Sequence, residues 1–362
     1  MGAKEANKTN GGNFFSRLVK QQLFIPLAAL LILIIFNLIM DPSFLKITLE
    51  HNNLGNPVLA GYLIRILDNG SEVAILAIGM TLVTAATGGQ DISVGAAVAI
   101  AGSVLLRILC GADGSPETMQ APVIVAFLVS CIVAMLFGAF NGVLVAYFRI
   151  QPMVATLILY TAGRSIAAWV NQNRLPIVNE TSFGYFGGSI PGIPVPTPFI
   201  IAMICMLIIG LVLKFTNLRL YTQAVGINES SSRLNGLNPQ LIKMLSFIIL
   251  GVCVAVVGLI KVSRTSTINY SVIAKDIEMD AILAVALGGN ALGGGKFSMV
   301  ASVIGAYVIQ LLTTTLFKFN VPSDALPAYK AVVIIALVII SAPVVRSWFS
   351  STVKKLQKKE VA

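Results

Sequence analysis

The stretch TGGQDISVG, residues 87–95, places one acid and three glycines between two long apolar runs of the chain. Asp91 is the residue to explain, because an ionisable side chain at the mouth of a membrane segment is costly. Such residues cap a helix, sit at an interface or line a polar path. Ile92, Ser93 and Val94 follow, a pattern typical of an N-cap that opens the next helix. A capping role and a functional role are compatible here.

Composition decides the class of protein. Hydrophobic residues make up 56% of the 362 residues, charged residues only 11%, and the mean hydropathy is +0.88. Soluble globular proteins carry roughly 25% charged residues. The apolar runs suit helices of about 20 residues and lack the alternating pattern of barrel strands. We therefore predict an all-α integral membrane protein.

Ten apolar segments are predicted to cross the membrane. They are residues 23–40, 72–87, 92–109, 122–147, 152–170, 197–214, 244–260, 280–288, 297–317 and 328–345. The segment 280–288 is the weakest, so eight or nine spans are an alternative count. With ten spans, Lys and Arg in the cytoplasmic segments outnumber those in the opposite loops by about two to one. Both termini are therefore predicted to be cytoplasmic.

The chain divides into three predicted parts. A basic N-terminal arm, 1–22, precedes the transmembrane domain, 23–345, and a basic tail, 346–362, follows it. The external connection 171–196 either faces a partner or shields a pore, or is a solvated connector. The largest internal loop, 215–243, is where we expect a cytoplasmic partner to bind.

The motifs of enzymes and metal proteins are incomplete in this chain. NALGGGKF resembles a P-loop, but Asn290 replaces the leading glycine and Phe297 replaces the Ser or Thr. His51 is the one histidine, and the four cysteines have no CxxC spacing. The sequence therefore predicts no catalytic residues, no bound cofactor and no metal site.

Charged residues in the predicted spans are few. Acids in mid-span are the usual sign of coupling to protons or sodium, and the sequence predicts none. Arg107, Arg164 and Lys330 lie within reach of span ends, where basic side chains commonly snorkel to the interface. Frequent Gly, Ala, Ser and Thr favour close helix packing.

Four blocks of sequence carry a family resemblance. They are GMTLVTAATGGQDISVGA (79–96), GAFNGVLVAYFRIQPMVATLILYTAGRS (138–165), AVGINESSSRLNGLN (224–238) and DAILAVALGGNALGGGKF (280–297). Together they resemble the permease subunits of bacterial ABC importers for monosaccharides, the ribose, xylose, arabinose and galactofuranose group. Lys296 and Phe297 are most similar to the galactofuranose branch. Gln90, Ile92 and the serines 230–232 depart from the residues usual in the family.

The resemblance implies a mechanism and a set of partners. Two permease subunits, identical or related, enclose a path in the bacterial cytoplasmic (inner) membrane. Cytoplasmic ABC ATPase subunits use ATP, and an extracytoplasmic sugar-binding protein delivers the solute. Membrane lipid is the remaining partner, and nucleic acid is not one. This chain is implied to bind no cofactor and to catalyse no reaction.

Three sets of site residues follow from the resemblance. The path or helix-end turn set is Gly88, Gly89, Asp91, Ser93, Gly95, Asn141 and Thr156. The ATPase coupling set is Ala224, Gly226, Asn228, Arg233, Gly236 and Asn238. The glycine-rich loop set is Asp280, Gly288, Gly289, Gly293 and Gly294. Asn141 and Thr156 offer neutral hydrogen-bonding groups to a sugar, and Gly226 and Gly236 are expected to bound a coupling helix.

One alternative from another class stays open. A stand-alone secondary carrier or channel for a small polar solute would share the composition and the spans. The predicted lack of mid-span acids and the large internal loop 215–243 both argue against it. A membrane enzyme is the third interpretation.

Overall fold

The chain is almost entirely helical in the computed structural model, which describes residues 23–51, 57–111 and 114–341. The helices are α1 (Phe24–Met40), α2 (Tyr62–Thr87), α3 (Val94–Cys110), α4 (Val123–Ala146), α5 (Pro152–Val170), α6 (Thr197–Phe215), α7 (Leu218–Ile227), α8 (Glu229–Leu234), α9 (Pro239–Thr265), α10 (Ile277–Leu287), α11 (Met299–Lys318) and α12 (Leu326–Ser341). Strands β1 (Thr48–His51) and β2 (Pro57–Ala60) pair antiparallel, and Thr181–Phe186 is a 3-10 helix. The predicted arm 1–22 and tail 346–362 lie outside the described residues.

Each predicted apolar segment coincides with a helix. The segment 152–170 agrees with α5 at both ends, because Pro152 starts the helix at its first position. Among the described residues, α2, α4, α5, α6, α9 and α11 are long and apolar enough to cross a membrane. Helix α10 has 11 residues. Its length of about 16 Å is half the thickness of the hydrocarbon core, so α10 alone does not span it.

Helix α2 begins at Tyr62, well before the predicted start at residue 72. Arg65 and Asp68 lower the hydropathy of residues 62–71, which is why the predicted span begins only at residue 72. Glu72, the first residue of that predicted span, therefore lies well inside a longer helix. The prediction that acids are absent from mid-span is wrong for α2.

The core is built around α2, which packs against α9 and α11 and buries almost its whole surface. Small residues permit the close approach. A Cβ on Gly79 would lie 2.8 Å from the Leu250 Cα of α9, and one on Gly142 of α4 would lie 2.9 Å from the Met244 Cα. These contacts confirm that glycines serve helix packing in this chain.

Helix α1 docks on α11 through polar contacts. The Asn37 amide donates to the Thr315 hydroxyl at 2.8 Å, and the Lys318 ammonium binds Asp41 at 2.7 Å. The hydrogen bonds from Lys318 and Ser43 lower the pKa of the Asp41 carboxyl to about 2. The Asp41 carboxyl group therefore remains ionised at physiological pH.

The connections gather at two opposite ends of the bundle. The hairpin end contains the strands and residues 171–196, joined by a hydrogen bond from the Leu59 N–H to the Pro194 carbonyl at 3.0 Å. The glycine end contains the connections 88–93, 147–151, 216–238 and 288–298. Successive helices run between these ends, which places the four resembling blocks at or near the glycine end.

Candidate functional site

The connection 88–93, here called the acidic turn, is held between α2 of the first block and helices α4 and α5 of the second. A Cβ on Gly89 would lie 2.7 Å from the Pro152 ring at the start of α5. The Asp91 N–H points at the Met80 sulfur, 3.5 Å away, so the turn runs back along α2 after that helix ends. The turn is therefore buried inside the helix bundle.

Asp91 is only 4% exposed and organises the start of α3. Its Oδ1 accepts from the Ser93 N–H at 2.8 Å and from the Ser93 hydroxyl at 2.6 Å. The N-cap residue of α3 is Ser93, so the prediction that Asp91 itself is the N-cap is wrong by two residues. The Asp91 carboxylate instead closes a turn that sets the direction of α3.

Asn141 and Thr156 contact the acidic turn and not an open space. The Asn141 amide donates to Asp91 Oδ2 at 3.3 Å and to the Ser93 hydroxyl at 3.0 Å. The Thr156 hydroxyl accepts from the Ile92 N–H at 3.2 Å. Both side chains are buried in this chain. Their predicted contact with a sugar stays a prediction, because the contacts seen here are internal.

A glycine junction joins three of the four blocks at the glycine end. Gly88 has φ 67°, and a Cβ there would lie 2.7 Å from the Gly293 carbonyl oxygen. A Cβ on Gly294, φ 94°, would lie 3.0 Å from the Gly226 carbonyl oxygen. The Gly295 N–H donates to the Ala85 carbonyl at 2.9 Å. Backbone thus packs directly on backbone where these segments meet.

Asn290 shapes the glycine-rich loop that follows α10. Its amide group donates to the Ser302 hydroxyl at 2.7 Å, and its carbonyl accepts from the Ser298 N–H at 2.7 Å. Thr81 of α2 donates to the same Ser302 hydroxyl at 2.7 Å. In the sequence, Asn290 was noted only as a residue that breaks the P-loop pattern. Its amide instead fixes the loop between α10 and α11.

Asp280, Gly288 and Gly289 of the predicted glycine-rich loop set lie in two different places. Gly288 packs on α11, where a Cβ would lie 2.8 Å from the Ala301 carbonyl carbon, and Gly289 follows with φ 70°. Asp280 lies in the first turn of α10 and binds Lys330 of α12 at 2.9 Å. Its assignment to the glycine-rich loop is wrong, because a helix separates it from Gly288.

The predicted coupling segment folds as two short helices, α7 and α8. Asn228 caps α8, since its side chain accepts from the Ser231 N–H at 2.9 Å. Asn238 caps α9, accepting from the Leu241 N–H at 3.1 Å. Gly236, with φ 81°, turns the chain between α8 and α9. Gly226 lies inside the last turn of α7, so α8 is bounded by Asn228 and not by Gly226.

Charged contacts hold α8 against α9. Lys243 binds Glu229 at 2.6 Å, and Arg233 lies 3.6 Å from the same carboxylate. The hydrogen bond from Lys243 lowers the pKa of the Glu229 carboxyl below its usual value, against an opposing effect of burial. These residues line a cleft of about 630 Å³ beside Arg149. On its other side α8 shares a second groove with α7 that includes Ala224.

A partly buried ion-pair cluster, centred on the buried Glu72, lies towards the hairpin end and was not predicted. Glu72 binds Lys261 at 2.5 Å and Arg264 at 3.1 Å, and Arg264 also binds Asp68 at 2.9 Å. The predicted span 244–260 ends just before both cations. Both are residues of α9 and are neutralised by acids of α2. The acids of α2 and the cations of α9 are far apart in sequence, so no local pattern indicates that they pair.

The basic residues expected to snorkel have specific partners. Arg107 donates to the Gly111 carbonyl at 3.0 Å, and Lys330 is paired with Asp280. Arg164 donates to the carbonyls of Tyr270 and Ile273 at 2.7 and 2.9 Å. Snorkelling to the interface is therefore the wrong interpretation for Arg164 and Lys330.

Among the described residues, the helices long enough to cross a membrane and the polar turn inside the bundle define a multi-pass membrane protein. Over residues 62–342 the chain matches the family described as branched-chain amino acid transport system, permease component. The chain therefore belongs to this permease family. The resemblance inferred from the four blocks is confirmed.

Similar proteins cover most of the chain. The fructose import permease protein of Bifidobacterium longum is 32% identical over 99% of this chain and 98% of its own length. The galactofuranose transporter permease protein of Escherichia coli is 35% identical, with 87% and 88% covered. The ribose import permease protein of Escherichia coli is 35% identical, with 87% and 92% covered. No solved structure matches the chain significantly.

Proposed function

We propose that this chain is the membrane-spanning permease subunit of an ABC importer that carries a monosaccharide into the cytoplasm. The observation that carries the proposal is its 32–35% identity to permeases named for fructose, galactofuranose and ribose. The three solutes differ, but all are monosaccharides. The similarity of Lys296 and Phe297 to the galactofuranose branch stays a prediction about the individual sugar.

We further propose ten membrane crossings with both termini in the cytoplasm. The alternation of connections between the hairpin end and the glycine end supports this count, with α10 completing its crossing through the segments on either side. Arg149, Arg219 and Arg233 lie in connections of the glycine end, as the positive-inside rule expects for a cytoplasmic face. The hairpin end would then face the extracytoplasmic side.

The partners are proposed from the similarity to permeases of ABC importers and from this topology. A cytoplasmic ABC ATPase binds at α7 and α8, an extracytoplasmic sugar-binding protein docks on the hairpin end, and a second permease subunit completes the path. ATP is bound and hydrolysed by the partner ATPase, and this chain binds no cofactor. The assembly lies in the bacterial cytoplasmic membrane and is surrounded by lipid.

The glycine junction supplies a route for coupling. Gly226 in the last turn of α7 packs on Ala85 of α2 and on Gly295 after α10, with no side chain between the backbones. A displacement of α7 by the ATPase would therefore act directly on α2. The acidic turn starts where α2 ends, so the same displacement reaches Asp91 and the start of α3.

Uptake into proteoliposomes tests the proposal. The vesicles contain this chain together with the ABC ATPase and the sugar-binding protein encoded next to its gene. They are expected to accumulate one labelled monosaccharide only when they hold ATP. A non-hydrolysable ATP analogue is the control and should abolish uptake. Uptake by this chain alone without ATP would overturn the proposal in favour of a carrier or channel.

A further inference from the structure

Residues 266–276, here called the inserted segment, are non-helical and lie alongside the body of α3. A Cβ on Gly102 would lie 3.3 Å from the Ile268 Cδ1, and one on Gly95 would lie 2.5 Å from the Ala274 carbonyl oxygen. Seven residues of helix separate these two glycines, a distance of about 10 Å. The segment therefore runs down between the helices after α9 ends at the hairpin end.

Arg164 anchors this segment from within α5. Its guanidinium donates to the carbonyl oxygens of Tyr270 and Ile273 at 2.7 and 2.9 Å. Carbonyls outside a helix need such partners at this depth, because hydrocarbon provides none. Ala274 and Asp276 adopt positive φ values of 50° and 64°, which directs the chain into α10. The inserted segment is thus held in a defined conformation by its contacts within the bundle.

The outer side of the inserted segment is mostly polar. Asn269, Ser271, Lys275 and Asp276 are exposed on this chain together with one apolar residue, Val272. Ile268, Tyr270 and Ala274 are buried against its neighbours. Non-helical backbone at membrane depth occurs only where protein or a water-filled cavity covers it, and exposed charges avoid lipid for the same reason. The polar side of the segment must therefore face water, a polar solute or another protein chain.

We propose that the inserted segment lines the solute path, with Asn269, Ser271, Lys275 and Asp276 offering hydrogen bonds to a neutral polyhydroxylated solute. The nature of the solute rests on the proposed function, whereas the water-filled surface is inferred from the exposure and polarity of the segment itself. Donors and acceptors spread along one strand of chain suit weak, successive contacts, which permit release.

Thiol labelling tests the water-filled surface. In a variant with Cys110, Cys131, Cys205 and Cys253 replaced by Ala, single Asn269→Cys and Ser271→Cys substitutions are introduced. A charged thiol reagent is added to membranes holding the complete importer. We expect both sites to react at least about tenfold faster than Ile132→Cys, which replaces an exposed apolar residue of α4. Rates equal to that of Ile132→Cys would overturn the proposal.

Solute protection and steric block test the contact with solute. Saturating sugar with the binding protein is expected to slow labelling at Ser271→Cys by about threefold or more, and not at Ile132→Cys. Ser271→Trp is expected to abolish uptake at normal expression, with Ile132→Trp as the matched control. Unchanged labelling and uptake would overturn the solute contact. Failure of the proposed function would give a different result from failure of this inference. Labelling of the inserted segment would stay fast, but no sugar would stimulate the ATPase.

Discussion

The Gly295 N–H donates to the Ala85 carbonyl oxygen at 2.9 Å, so the loop after α10 is attached to the last turn of α2. Gly226 of α7 packs against the same pair, where a Cβ would overlap the Ala85 oxygen and lie 2.7 Å from the Gly295 nitrogen. Three segments far apart in sequence thus meet through backbone alone. The close contact makes the junction sensitive to a single methyl group.

Replacing Gly226 is expected to destabilise the protein and not only to uncouple it. Gly226→Ala forces the Ala85 and Gly295 backbones apart, at a cost of about 1–3 kcal/mol for overpacking. The measurement is the thermal unfolding midpoint of purified protein in detergent. Gly184→Ala is the matched control, since no atom lies within 4 Å of its added Cβ. Equal midpoints for both variants would contradict the packing seen at the junction.

Asp91 and Asn141 are expected to act as one unit. Asp91→Ala removes the acceptor of two hydrogen bonds from Ser93, and leaving a buried donor without an acceptor costs about 1–3 kcal/mol. Asp91→Asn keeps an acceptor oxygen and should lose less. The double variant with Asn141→Ala should be non-additive in stability by about 0.5–3 kcal/mol.

Thermal unfolding and uptake are both measured for the Asp91 series, with Asp324→Ala in the exposed connection 319–325 as the control. Additive effects would show that the two side chains do not share a network. Full uptake by a stable Asp91→Ala variant would leave Asp91 with a structural role alone.

Glu72→Gln is expected to be strongly destabilising. It removes the charge that compensates Lys261 and one of the two that compensate Arg264, and loss of one partner from a buried ion pair costs about 3–5 kcal/mol. Partial exposure of both cations places the cost at the lower end of that range. Glu117→Gln, in an exposed loop, is the control for loss of one carboxylate. A Glu72→Gln protein as stable as that control would contradict the cluster.

The attachment of α8 to α9 is expected to weaken in acid. Because the pKa of Glu229 is lowered in the folded protein, its stabilising contact with Lys243 is complete above the ordinary carboxyl pKa. The contact is lost as the pH falls through the lower folded value. Hydrogen exchange of amides 229–234, corrected for intrinsic rates, should therefore lose protection only in that acidic range. Glu229→Gln should lack this transition, and a transition in that variant would assign the effect to another group.

The helices were predictable because their apolar runs are long and clearly bounded. Pro152 marks the start of α5, and the charged turn before Val123 keeps α4 distinct from α3. The start of α2 was missed because Asp68 and Glu72 make it polar, and their partners Lys261 and Arg264 lie almost 200 residues away. Local hydropathy contains no information about such pairing.

The candidate site was predictable in its members but not in its geometry. The sequence singled out Asp91, Asn141 and Gly226 through the resembling blocks. The contacts that join Asp91 to Asn141 and Gly226 to Ala85, however, link residues that are 50 or more positions apart. Asn290 was missed because its role depends on Ser302 and Thr81, which no local pattern connects. The inserted segment was missed because a short non-helical stretch between two apolar runs resembles an ordinary loop.

Sugar-stimulated ATP hydrolysis tests the central claim most directly. The chain is reconstituted in membranes with its neighbouring ATPase and binding protein, and monosaccharides including fructose, galactofuranose and ribose are added in turn. We predict that one sugar raises the ATPase rate and that the increase requires all three components. An ATPase rate that no sugar changes, together with ATP-independent transport by this chain alone, would contradict the assignment.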